Sequence, residues 1–166
     1  MRVRPAVRGD IPEIARLVVA AQATHRDWAG DVPQRPEAEE ELEWDLRFAR
    51  ASAWIAVAED DDGSIAGAVA FAQATVSRED RTPVRGLAHV SAVFVRPDRF
   101  RRGVARTMLE AAEAAMRDAG FDRAQLFTLE GSPAERLYTA LGWQRDGRRE
   151  PYPPMDVQVV AYVKAL

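Results

Sequence analysis

The sequence has no cysteine, two histidines and a single lysine among its 23 lysine and arginine residues. Without thiols there is no disulfide, no thiolate nucleophile, no covalent acyl-cysteine relay and no cysteine-ligated zinc. His25 and His89 lie far apart with no metal-ligand spacing, so no metal is expected. The arginine bias, with Lys164 the one exception, reads as codon usage rather than function. No apolar run approaches the ~20 residues that span a bilayer, so no membrane partner is expected. The start of the chain is broken by Asp10, Pro12 and Glu13 before a signal-peptide core can form, which makes the cytoplasm the expected compartment. A formal net charge of −3 argues against a nucleic-acid partner, although local basic clusters can still meet a phosphorylated ligand.

What is present is a chain of 166 residues, 47% hydrophobic and 30% charged, which suits a single domain over 1–166 with a sizeable core. Its most informative stretch is residues 89–120. Residues 89–95 are apolar and β-branched, a strand that Pro97 ends. A basic turn over 98–102 follows, with no glycine until Gly103. Val104, Met108, Ala111, Ala112, Ala115 and Ala119 then recur at helical spacing, and Gly120 is placed to end the helix. Strand, basic loop and helix in this order gather unpaired N–H groups at a helix N-terminus, where the partial positive charge favours phosphate oxygens. Arg99, Arg101, Arg102 and Arg106 surround the junction, which on these features alone is equally well explained as a solvated turn.

Before this unit, residues 2–6 read as a short strand, and Asp10 as the cap of a helix whose apolar face is Ile11, Ile14, Ala15, Leu17, Val18 and Ala21. Residues 22–36 read as a loop or broken helix. Residues 37–50 are helical, with Leu42, Leu46 and Phe48 or Ala49 expected inward and the acids mostly outward on a solvated face. Residues 53–58 and 65–74 are strands joined by a tight hairpin whose three aspartates lack the ligand pattern of a calcium loop. Residues 75–86 form a polar link. After the central helix comes a strand over 124–129, then Ser132-Pro133-Ala134-Glu135, a capping box opening a helix that stops at Gly142. Residues 143–148 and 156–164 are the last strands, the second a candidate edge for a homodimer. The order β-α-α-β-β-β-α-β-α-β-β gives the α/β class, one mixed sheet with helices on both faces.

Two motifs carry a family likeness. Val95-x-Pro97-x-x-x-x-Arg102-Gly103-x-Ala105 resembles the acetyl-CoA-binding loop of the GCN5-related N-acetyltransferases, the GNAT family, usually V-x-P-x-x-(Q/R)-G-x-G-x-(G/A). Phe100 stands in its Gln/Arg slot and Arg101 in the next glycine slot. Residues 132–143, SPAERLYTALGW, are similar to the family's N-x-x-A-x-x-L-Y-x-x-x-G-F block, with Ser132 in the asparagine position. The opening strand and helix also fit, so the resemblance covers nearly the whole chain. It implies a GNAT-like, mostly antiparallel mixed sheet, acetyl-CoA as acyl donor, and a primary amine of a small molecule or peptide as acceptor. On this resemblance the donor site comprises Val93, Phe94, Val95, Arg101, Arg102, Gly103, Val104, Ala105, Arg106 and Ser132, with loop amides holding the pyrophosphate.

Moving an acetyl group from a thioester to an amine requires a proton to leave the amine, whose ammonium form has a pKa of about 10.4, and a stabilised thiolate. The resemblance implies Tyr138 as general acid, since a phenol with pKa about 10 stays protonated at neutral pH. It implies His89 as base, because several relatives carry a glutamate or histidine four residues before the position of Val93, whose main chain meets the thioester carbonyl. An even offset along a strand places His89 on the face of Val93, and a pKa near 6.5 suits a neutral acceptor. Phe127 occupies the position where some protein N-terminal acetyltransferases carry a glutamate base. The acceptor pocket is expected from residues 22–31, the helix near Trp44 and the loop 149–155, with Asp27 or Glu150 holding an ammonium group and Trp28 and Tyr152 as aromatic walls. An acyltransferase for a longer acyl group and a non-catalytic CoA-binding sensor stand as alternatives.

Overall fold

Alternation along short β-branched and alanine-rich runs builds a seven-stranded sheet in the order β1-β2-β3-β4-β5-β7-β6. The computed structural model describes residues 1–31, 33–153 and 156–166. The strands are β1 (Arg2–Pro5), β2 (Trp54–Glu59), β3 (Ile65–Thr75), β4 (Pro83–Val95), β5 (Arg123–Leu129), β6 (Gln144–Pro151) and β7 (Gln158–Ala165). Neighbours are antiparallel except β4 and β5, which run parallel. A parallel pair needs a crossover, supplied by α4 (Val104–Asp118). The other helices are α1 (Ile11–Ala23), the single turn α2 (Arg26–Ala29), α3 (Glu37–Phe48) and α5 (Ala134–Ala140). Apart from α2, inside the segment read as a loop or broken helix, this is the element order expected from the sequence.

A core forms on each face of the sheet. On one, Met108, Leu109 and Met116 of α4, with Tyr138 of α5 and Trp143, cover Val69, Phe71, Ala88, Val90 and Leu126. On the other, Ile14, Leu17 and Val18 of α1 and Trp44 of α3 cover Val57, Ala68, Ala70 and Ala92. α4 lies so close to the sheet that a Cβ at Gly67 would come within 2.7 Å of Met108 Cε and 2.9 Å of the Phe94 carbonyl oxygen. Lys164 is a structural tie: its Nζ donates to Glu113 Oε2 at 2.7 Å and to the Leu141 carbonyl at 2.6 Å. Trp143 Nε1 donates to Glu113 Oε1 at 3.0 Å. Burying the carboxylate of Glu113 is tolerable only because both oxygens are engaged.

Several expectations are corrected. α3 turns Glu40 and Trp44 inward, while Leu42 and Leu46 are 60% and 52% exposed. Glu40, Trp44 and Arg47 form one stripe at i, i+4, i+7; an indole hides roughly 150–250 Å² of surface, and its polar neighbours go in with it. Glu40 is met there by Arg35 Nη1 at 3.3 Å and Gln22 Nε2 at 3.5 Å. β4 begins at Pro83, inside the segment read as a polar link, because the hairpin with β3 continues through Gln73↔Ala88 and Thr75↔Pro83. β7 is paired on both sides, so the dimer edge expected there does not exist; β1 and β6 are the outer strands. The capping box does not close: α5 starts behind Pro133, Ser132 Oγ accepts the Ala134 N–H at 3.2 Å, and Glu135 Oε2 accepts the Gly131 N–H at 3.1 Å. Asp10 does not cap α1 either, since its carboxylate accepts from the Val7 N–H and the Arg4 guanidinium, each at 2.8 Å.

Candidate active site

β4 and β5 stay paired from Leu87↔Arg123 to Val90↔Leu126 and then separate, although β4 continues to Val95 and β5 to Leu129. Beyond that point each keeps only its outer neighbour, β3 or β7. Two backbone edges therefore face each other without strand partners in mid-sheet, where polar backbone groups are normally paired. A slot of this kind suits an extended ligand with amides of its own. The separation begins at a bulge in β4: Val90 pairs with Phe71 and Ala92 with Ala70, leaving Ser91 unpaired with β3. A bulge bends its strand and moves every later side chain to the other face.

At the end of β4 the chain turns through Pro97–Arg99 into α4. Arg101 is the one non-glycine described residue with positive φ, 59°, and Gly103 follows at 83°. A non-glycine residue in that region costs about 1–2 kcal/mol, so the left-handed turn is kept even where arginine replaces the motif's glycine. Among the described residues, none of the backbone N–H groups from 101 to 106 donates a hydrogen bond; the series resumes with Thr107 N–H to the Gly103 carbonyl at 3.0 Å. Such a run of free amides at a helix N-terminus forms a concavity for an anion. Arg99 is tied to Asp60 at 2.7 Å and Asp98 at 3.0 Å, and Arg106 faces Glu110 at 3.8 Å. Arg101 and Arg102 are exposed and have no ion pair among the described residues, so they hold the loop's free charge.

The bulge also decides where His89 points. Ala88 and Val90 face the α4–α5 core, and so do Val93 and Val95, which means the alternation changes phase at Ser91. His89 therefore lies on the other face, with Ala92, toward α1 and α3. The even offset that places it beside Val93 does not hold. Its ring centre is 5.6 Å from that of Phe127, which the Arg148 guanidinium covers at 5.2 Å. Its Nδ1 is buried without a hydrogen-bond partner among the described residues. Burial foremost, then the charges of Arg50, Arg148, Arg78 and Arg47, push its pKa down to about 4, so the ring is neutral at pH 7. Tyr138 lies on the opposite face, 5.7 Å from the Tyr162 ring and 6.4 Å from that of Trp143. Its hydroxyl has no hydrogen bond to a described residue, and burial, then the nearby Tyr162, pushes its pKa up to about 12.

The remaining expected residues are less tightly assembled. Asp27 is exposed on α2, and Trp28 packs edge-on against His25 with ring centres 5.2 Å apart. Tyr152 is 39% exposed just after β6, its N–H donating to the Val157 carbonyl at 3.0 Å. No hydrogen bond or ring contact joins these three to His89. Pro154 and Met155, also expected near the acceptor, lie outside the described residues. Sequence reasoning missed Arg47: its Nε and Nη1, like Trp44 Nε1, are buried with no partner among the described residues. The signal available was its place three residues after Trp44 on the inward stripe. Among the described residues no three acidic, histidine or cysteine side chains converge as a metal site, and no helix is long and apolar enough to cross a membrane.

The model of the acetyltransferase (GNAT) family matches residues 17–143. No curated protein matches the sequence. Among solved structures, a GCN5-related N-acetyltransferase from Kribbella flavida is similar, with a TM-score of 0.76 and 19% identity over 99% of this chain and 97% of that one. A ribosomal-protein-alanine N-acetyltransferase from Brucella melitensis is similar over 100% of both chains, with a TM-score of 0.74 and 17% identity. A Salmonella typhimurium protein solved with its cofactor acetyl-CoA has a TM-score of 0.76 and 17% identity over 100% of this chain and 94% of that one. These likenesses establish the fold. With the slot, the amide-lined loop and a family model spanning most of its length, the chain belongs to the GNAT acetyltransferase family.

Proposed function

We propose that this acetyltransferase takes its acetyl group from acetyl-CoA and passes it to a primary amine approaching from the α1–α3 face. The carrying observation is the run of unbonded amides over 101–106 at the end of the slot. The residues present fit the donor: the backbone N–H groups of Arg101, Arg102, Gly103, Val104, Ala105 and Arg106 receive the diphosphate, and the free guanidinium groups of Arg101 and Arg102 add charge. Gly103 leaves open space, since a Cβ there would meet nothing within 4 Å. Val93, Phe94 and Val95 offer the β4 edge of the slot, and Ser132 stands at its β5 end.

Acetyl-CoA supplies an activated acyl carbon and a thiolate leaving group. The N–C bond forms as the C–S bond breaks; the amine loses one proton and the sulfur gains one. Tyr138, protonated up to about pH 12, gives a proton to the sulfur side. His89 on the opposite face receives the amine's proton, under a restriction set by its environment. An imidazole held at about 4 does not strip an ammonium near 10.4: the gap of about 6 pK units is ~8 kcal/mol. The amine therefore attacks as the minor neutral form, and His89 accepts its proton once bonding to carbon has made the nitrogen acidic.

Calorimetry with acetyl-CoA, followed by thiol release over an amine panel, tests this reading. The expected result is saturable heat and amine-dependent thiol release. Absence of binding by a folded sample overturns it.

A further inference from the structure

We infer that the acceptor amine also carries a carboxylate, and that Arg47 on α3 receives it. The inference rests on the reading above, in which the α1–α3 face takes the acceptor, and it supplies the substrate class. Four buried side-chain atoms have no hydrogen-bond partner among the described residues: Trp44 Nε1, Arg47 Nε, Arg47 Nη1 and His89 Nδ1. All lie on this one face. The molecule pairs such groups elsewhere; the equally buried Trp143 indole N–H has Glu113 Oε1 at 3.0 Å. A guanidinium with two of its three nitrogens buried and unpartnered is unfavourable unless something else supplies the acceptor atoms.

The surrounding charge points to an anion. Arg47 sits with its guanidinium carbon 5.0 Å from the Trp44 ring centre, and burial lowers its pKa against the opposing influence of Glu43 and Glu40. Neither acid bonds to it: Glu40 is held by Arg35 and Gln22, and Glu43 makes no ion pair with a described residue. After burial, the groups that act on His89 are Arg50 and Arg47 from α3, Arg78 from the β3–β4 turn and Arg148 from β6. Among the described residues, only Arg148 of these four is met by an acid, Asp146 at 2.7 Å. The arginines around His89 favour an ammonium that brings its own carboxylate over a bare one. The Nε and Nη1 groups of Arg47 lie on different edges of the guanidinium, and a carboxylate oxygen can accept from either of these charged donors.

The probes are free amino acids and the same amino acids as C-terminal amides. Acids are expected to exceed amides by about 100-fold in kcat/KM, and Arg47→Met to erase the difference mainly through KM. Arg47→Met should leave acetyl-CoA binding by calorimetry unchanged and raise Tm, because it removes an uncompensated charge. In nuclear magnetic resonance, an acid that binds should raise the titration midpoint of the His89 imidazole. Amides equal to acids, a lowered Tm for Arg47→Met, or no acid that is turned over or moves the His89 resonance overturns the inference. Loss of acetyl-CoA binding by the parent chain instead overturns the donor-site reading.

Discussion

His89 and Val93, four residues apart on one strand, face opposite sides of the sheet. The bulge at Ser91 separates them, so the candidate proton acceptor and the main chain expected at the thioester carbonyl meet across the sheet rather than along one surface. In the proposed reaction an amine and a thiol then approach one carbon from different sides, with His89 and Tyr138 each serving one of them.

The buried imidazole makes stability depend on acid. Above pH 6.5, the ordinary value, His89 is neutral both folded and unfolded and pH has no effect through it. As pH falls toward about 4, the unfolded chain takes up a proton that the folded chain refuses. The contribution is thus present above 6.5 and lost on acidification, by about 3 kcal/mol in all. Urea denaturation at pH 7 and pH 4 should show the parent losing that much more than His89→Gln.

Removing the Tyr138 hydroxyl separates chemistry from packing. Tyr138→Phe keeps the ring between Trp143 and Tyr162 and breaks no hydrogen bond to a described residue. We expect kcat to fall by about 10²–10⁴ with denaturation midpoint and acetyl-CoA affinity unchanged. Steady-state kinetics beside calorimetry checks this.

The donor loop offers a pair of opposite substitutions. Arg101→Gly relieves a left-handed φ of 59° and should stabilise the fold by about 1 kcal/mol while weakening acetyl-CoA binding only through the lost charge. Gly103→Ala should cost about 1 kcal/mol and weaken acetyl-CoA binding more, because its methyl group projects into space that is otherwise open. Thermal melts and calorimetry on both variants decide.

Glu113 anchors three elements at once. Glu113→Ala leaves the Trp143 indole N–H without its acceptor and the Lys164 ammonium without its counter-ion, held by the Leu141 carbonyl alone, a loss of about 3–5 kcal/mol in chemical denaturation. Lys164→Met with Glu113→Leu should recover much of it, since an apolar pair replaces a buried ionic one.

The element order, the two apolar faces of the sheet and the strand-loop-helix unit were legible from periodicity, because burial of small and β-branched residues repeats at fixed spacing in β3, β4 and α4. Two things were not. A bulge has no composition of its own, and Ser91 looks like any polar residue in a strand, so the side assigned to His89 was inverted. In α3 the exposed leucines at 42 and 46 outweighed Trp44 by count, although the indole with its flanking Glu40 and Arg47 is what turns inward. A stripe that carries polar groups inward resembles a solvated one until the neighbouring helix is in place. Arg101 at a left-handed φ was legible only as a departure from a glycine motif, whose reason the backbone supplies.

The scarcity of lysine has a chemical corollary. A protein that holds a reactive thioester close to its own surface is exposed to adventitious acylation wherever it displays an amine. Here the ε-amine of Lys164 is only 19% exposed and bonded inside. With arginine at the other 22 basic positions, the protein is a poor target for self-modification by the proposed donor, and peptide mapping after long incubation with acetyl-CoA should find Lys164 unmodified.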